Sequence, residues 1–318
     1  MNPAFSVIFL TTLLGAGQGL FLALYAVHVV TADVVTAHVA ARLDPPISFL
    51  VAGALVSAAL VAGGLVASVF HLGRPERAWR AASQWRTSWL SREVIALPAF
   101  LASALAYAGA LAFAPGWAML VGGVACLLCA ALFACTGMVY ACIRFLQEWA
   151  TPLTLVNFAL LGLASGTTLA AALAPFAAPA LAAPLAVAAV VFTLAGFAGR
   201  AASLRRNARL RPMSTLQSAI GVKHPRIAQK AQGFMGGSFN TREFFHGATR
   251  GRMLAIRQGF MVATFAIPLA LLVVAILGNA SGLCVLAFAV QYAGLVAERW
   301  YFLADANHPQ NLYYQAMS

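Results

Sequence analysis

Eight stretches of about twenty residues, each almost free of charge, divide this chain of 318 residues. They constrain its fold more than any single motif. A helix needs about 20 apolar residues to cross a hydrocarbon core of about 30 Å. That length predicts spans at approximately 4–30, 47–70, 94–114, 118–143, 152–174, 181–199, 258–278 and 283–303. Pro45-Pro46, Pro115-Gly116, Pro152, Pro175 and Gly278-Asn279 mark the junctions between them, as helix breakers do. Charged residues are 9% of the chain and apolar residues 62%. Soluble domains carry roughly 25% charge, and disordered chains are poorly hydrophobic, so both classes are excluded. The expected fold class is an all-α integral membrane protein: a bundle of eight transmembrane helices in a single membrane domain, residues 1–318.

The charges that remain are mostly basic, 20 Lys and Arg against 8 Asp and Glu. They lie between the apolar runs rather than on a soluble face, so nucleic acid is not the expected partner. Two polar connections are long: 71–92, and the basic segment 200–257. With eight spans, both fall on the side of the two termini. That side holds 19 of the 20 basic residues, and Arg42 stands alone opposite. The positive-inside rule therefore predicts both termini and both long connections in the cytoplasm. The start, MNPAFSVIFLTT, lacks a basic n-region and a small-residue cleavage site, so the first span is expected to stay in the membrane.

Chemistry is sparse. Cys126, Cys129, Cys135, Cys142 and Cys284 all lie in apolar stretches, and the CxxC of Cys126 and Cys129 has no second pair, which favours packing over metal binding. Of the six histidines only His28 falls within a span, so no haem is expected in this chain. No P-loop, dinucleotide fingerprint or zinc-protease motif is present. Close packing of helices in lipid explains the small residues around Gly15–Gly19.

The segment from Phe70 to Glu93, FHLGRPERAWRAASQWRTSWLSRE, stands out. It sets an imidazole, guanidiniums, three Trp and a carboxylate between two spans. Gly73 and Pro75 break the helix after His71, and Ser91 is a candidate cap for the next span. The end of one span and the start of the next share a depth, so His71 and Glu93 can face one another at the interface. A quinone head group asks for such a site, with hydrogen-bond partners for two oxygens and groups that exchange protons. The other reading is an interfacial loop, with Trp at the membrane surface and Arg on lipid phosphates. Both readings stand for Arg80, Arg86 and the tryptophans. Arg144 and Glu148, spaced i,i+4, are expected to pair. Glu298, inside the last apolar run, must be paired or near water.

The segments HLGRPERAWRA (71–81), SWLSRE (88–93), CTGMVYACIRFLQEWATPLTLVNF (135–158), TREFFHG (241–247) and AERWYFLADANHPQNLYYQ (297–315) resemble the membrane-anchor subunits of dimethyl sulfoxide reductase-type molybdoenzymes. The resemblance covers nearly the whole chain and implies eight helices without haem. It also implies a quinone or quinol (menaquinone or ubiquinone) bound near the face where a four-cluster iron–sulfur subunit docks, with a molybdopterin catalytic subunit beyond. The residues it assigns to the quinone are His71, Gly73, Arg77 and Glu93, with His71 and Glu93 exchanging protons. Such a subunit is not catalytic alone. A branch of the family anchors a cytoplasmic sulfite dehydrogenase, and the charge count fits that orientation at a bacterial inner membrane. Anchoring a dimethyl sulfoxide or polysulfide reductase is the alternative within the class. A secondary transporter is the alternative outside it, although transporters place their polar sites at mid-membrane.

Overall fold

A computed structural model describes residues 1–32, 45–231 and 244–313. Its eight long apolar helices are α1 (Phe5–Ala32), α2 (Ile47–Val69), α3 (Trp89–Phe113), α4 (Pro115–Ala141), α5 (Pro152–Ala177), α6 (Ala182–Asn207), α7 (Arg250–Leu277) and α8 (Leu283–Ala304). No strand occurs among the described residues. The chain is a multi-pass membrane protein. Arg42, His38 and the stretch Thr241–Glu243 lie outside the described residues.

The helices are longer than the apolar runs, for a physical reason. Hydropathy measures what lipid tolerates, whereas a helix ends where its backbone loses partners. Thus α3 begins at Trp89 rather than 94, and its cap is Ser88, whose side chain accepts from the Ser91 backbone N–H; Ser91 itself is not the cap. Likewise α6 runs on through Arg200 to Asn207, and α7 begins at Arg250 rather than 258. Arg200 and Arg257, taken as the ends of a loop, are helical.

Consecutive helices pack on one another throughout, so the chain runs up and down. The connections 70–88 and 142–151, with 208–231 and 244–249, share one end with residue 1 and residue 313, the basic face of the bundle. Helices α1–α4 form one group of four and α5–α8 a second, joined mainly along α1 and α5, the two most enclosed helices. The seam is made by glycine. A Cβ on Gly19 would collide with the carbonyl oxygen of Gly162, and one on Gly166 with the backbone of Gly19. Gly15 and Gly19 face Gly162 and Gly166, the same four-residue spacing on both helices, which brings the two backbones into contact. The packing role expected for Gly15–Gly19 is thereby located.

The cysteines are free, and Cys129 is buried against Gln18, whose Nε2 donates to the Cys129 carbonyl at 3.0 Å. Between Val262 and Ala266, α7 loosens into a π-helical turn. There Gln291 of α8 donates to Thr193 Oγ1 of α6 at 3.1 Å and to the Thr264 carbonyl at 3.3 Å. This cluster lies at mid-depth, so the polar groups are not all at the helix ends.

Candidate functional site

The most polar part of the interior is the basic-face third of the bundle. Two carboxylates are buried there, each on a different pair of helices. Glu93 sits in the second turn of α3 because that helix starts early, at its Ser88 cap. Only 8% of it is exposed. The hydroxyl of Thr136, on α4, donates to Glu93 Oε1 at 2.6 Å. One turn further along α4 is Tyr140, within electrostatic range of both Glu93 and Arg299. Its ring is held edge-on by Trp149 and Phe302 and stacks on Phe158, at 5.2–5.4 Å between centroids.

Glu298 is the second carboxylate, on α8, and it is fully buried. Its Oε1 lies 2.7 Å from Nε of Arg200 on α6, and its Oε2 lies 3.4 Å from Nη1 of the adjacent Arg299. The Arg299 guanidinium rests 3.8 Å above the Phe158 ring, a cation–π contact in a dry setting. Asn157 of α5 donates to Ser203 of α6 at 2.7 Å beside them. Glu298 was expected to need a partner, and it has two. Arg200 was expected in the loop count of exposed basic residues; it is 3% exposed and paired, so neither it nor Arg299 contributes to a surface charge. Around Glu298 the layer therefore holds two guanidiniums and one carboxylate.

The predicted loop is outside this layer. His71 follows the end of α2 and is exposed, its backbone N–H donating to Ser68 at 3.4 Å. The protein around it partly buries the ring and holds its pKa below the ordinary 6.5. Gly73 has open space where a Cβ would stand and an ordinary backbone, so its glycine is not required by packing. Arg77 lies in the 3-10 helix Pro75–Gln84, which buries no residue, with Glu76 3.8 Å away. Arg92 clamps the loop to α3: it donates to the carbonyls of Trp85 and Arg86 at 2.9 and 2.8 Å and stacks over Trp89 at 4.3 Å. Of the four predicted residues, Glu93 is internal and His71, Gly73 and Arg77 are on the surface above it.

Arg144 and Glu148 do not share a helix, because α4 ends at Ala141 and turns follow. Among the described residues Glu148 instead accepts from Asn307 at 3.3 Å, and no Arg144–Glu148 ion pair forms. Thr136, Tyr140 and Arg200 were not marked in the sequence as site residues. A hydroxyl and a phenol in an apolar run are ordinary in membrane helices, so no local signal distinguishes Thr136 and Tyr140. Arg200 had one: seven residues after Thr193, it repeats the register of Gln291 and Glu298 on the helix it faces. Among the described residues no three His, Cys, Asp or Glu side chains gather as metal ligands.

Eight apolar helices with buried ionisable groups collected beneath one cationic face define a multi-pass membrane protein. The family model of the DMSO reductase anchor subunit (DmsC) matches residues 1–302. The chain is also 50% identical over 331 aligned positions to a sulfite dehydrogenase subunit of Allochromatium vinosum, and the match covers 100% of both chains. This chain belongs to the DMSO reductase anchor-subunit family and is a membrane anchor of an oxidoreductase complex.

Proposed function

We propose that this chain is the quinone-reactive anchor of a molybdenum and iron–sulfur complex that oxidises sulfite to sulfate. The observation that carries the reading is the full-length, 50% identity to a subunit of a sulfite dehydrogenase. The burial of Glu93, a carboxylate bonded to one neutral hydroxyl beneath an exposed basic loop, supports a site for protons at that face. In this reading the partners are a four-cluster iron–sulfur subunit docked on the loop 71–92 and a molybdopterin subunit beyond it. The termini and the basic face lie in the cytoplasm of a bacterial inner membrane. The charge pattern of the described loops supports that side.

Quinone, when bound, supplies the acceptor for two electrons and two protons. The electrons come from sulfite and water, which become sulfate with release of two protons. The chain's own part is to bind, orient and protonate. Thr136 occupies one oxygen of Glu93, which leaves Oε2 to carry a proton toward the face. His71, whose pKa partial burial holds below its ordinary value, accepts a hydrogen bond or proton at the loop. Arg77 positions the head group, and the clamp of Arg92 on the Trp85 and Arg86 carbonyls fixes the loop that carries it.

The test is quinone-dependent sulfite oxidation in membranes that express this chain with its co-purifying subunits, against membranes lacking it. Activity that depends on the chain supports both the anchor role and the substrate. No activity, with the partners bound and molybdenum loaded, removes sulfite; the same membranes are then assayed for quinol-dependent reduction of dimethyl sulfoxide and polysulfide.

A further inference from the structure

Helix α7 packs against α6 only along its deeper half. The part Ile267–Leu277 touches α6, whereas the first turns, Arg250–Met261, pack on α8. Those first turns bury only Phe260. The two helices therefore separate toward the basic face, and a wedge of about 470 Å³ opens between them. Its walls are graded. Ala201, Leu204, Met261 and Val262 line the deeper end, and Arg205, Ala208, Arg257 and Gln258 line the end nearer the face. The direction of each helix fixes this order, since α6 rises to the basic face while α7 descends from it.

Arg257 also lines a second cavity of about 390 Å³, on the α8 side of α7. Arg250, His246 and Tyr301 share that cavity with Asp305. Asp305 is engaged by Asn207, which donates to its Oδ2 at 3.2 Å. Burial, and after it the N-terminal amine, hold the His246 pKa below its ordinary value. Among the described residues neither Arg205 nor Arg257 forms an ion pair.

An apolar cleft open to the bilayer is filled by whatever the bilayer offers, because an empty one loses dispersion contacts on both walls. Two guanidiniums at its mouth, neither in an ion pair with a described residue, select negative charge there. We propose that this wedge is a binding site for an anionic phospholipid. One acyl chain lies between Leu204 and Met261, and the headgroup phosphate bridges Arg205 and Arg257. The phosphate is that of a lipid, since a free phosphate makes no use of the apolar depth.

The experiment uses the complex purified with its partner subunits in detergent and stripped of lipid. Thermal unfolding and native mass spectrometry are followed on titration with phosphatidylglycerol, cardiolipin, phosphatidylcholine and inorganic phosphate. The expected result is binding and a raised melting temperature with the two anionic lipids, and neither with phosphatidylcholine or phosphate. Arg205→Gln with Arg257→Gln lowers that affinity on the order of tenfold, and the pair of Lys substitutions retains it. Lys223→Gln with Lys230→Gln, exposed residues of the connection after α6, leaves it unchanged. Equal binding of phosphatidylcholine overturns the proposal, as does an equal effect of inorganic phosphate. So does an anionic preference that survives the Gln pair or is lost equally in the Lys223 and Lys230 control.

Discussion

Two glutamates, Glu93 and Glu298, lie at the same end of the bundle and are almost equally buried, yet their surroundings are opposite. Glu298 is held between two guanidiniums, at 2.7 and 3.4 Å. Glu93 is held by one hydroxyl, at 2.6 Å. A buried charge costs several kcal/mol unless it is paired, so pairing marks a carboxylate that stays ionised and fixed. Among the described residues Glu93 has one hydrogen bond, from a neutral hydroxyl, and no ion pair, so no cation fixes it in the charged form. The α6–α8 corner is therefore built for permanence, whereas the α3–α4 corner holds the carboxylate to which the proposed function gives proton exchange.

Removing the fixed carboxylate gives the largest expected effect. Glu298→Ala leaves Arg200 and Arg299 as two like charges buried together, at a cost of about 3–5 kcal/mol. Loss of the folded chain, or a steep fall in melting temperature in detergent, checks this. A variant as stable as the original would place Glu298 with Glu93 and dissolve the distinction.

The carboxylate proposed to exchange protons is expected to behave otherwise. Glu93→Gln keeps an acceptor for Thr136 and the same volume, so the complex assembles and its stability changes by no more than about 1 kcal/mol. Its quinone-linked turnover falls at least tenfold, on the order of a general acid–base contribution. Full turnover in the assembled Gln variant excludes Glu93 from proton exchange.

Thr136→Val probes the hydroxyl itself. It strands a buried carboxylate oxygen, at about 1–3 kcal/mol, read as a lower melting temperature. Thr136→Ser restores both melting temperature and turnover if the hydrogen bond matters, and neither if the methyl packing does.

The smallest effect belongs to the surface. The folded-state pKa of His71 lies below its ordinary 6.5, so the unfolded chain binds this proton more tightly. Its contribution to stability is present above about pH 6.5 and is lost as pH falls through that value toward the depressed pKa. His71→Gln should therefore soften the decline in melting temperature between about pH 7 and pH 5, measured against the parent. An unchanged decline shows that other groups set it.

Much of this was legible in the residues. Hydropathy marked eight spans because lipid punishes every unpaired backbone group, leaving helices as the only spanning form for such runs. Family motifs pointed to Glu93. Its neighbours were not legible. Thr136 and Tyr140 lie 43 and 47 residues further along, on a helix whose rotation about its axis no local pattern fixes. Arg200 was misread for a related reason: an arginine at the edge of an apolar run looks like a loop residue until the helix facing it brings Glu298 within 2.7 Å. The i,i+4 pairing of Arg144 and Glu148 failed because it assumed a helix that ends three residues earlier.

By itself the sequence determined that this chain crosses a membrane eight times and that it belongs with oxidoreductase anchors, since apolar length and motif identity are local properties. Tertiary structure alone decided which buried charges are paired, that α1 and α5 meet glycine to glycine, and that α6 and α7 part toward the basic face. Those outcomes depend on how helices rotate and tilt against one another. Contacts between residues distant in the chain set that geometry, and the hydrophobicity of each helix alone leaves it open.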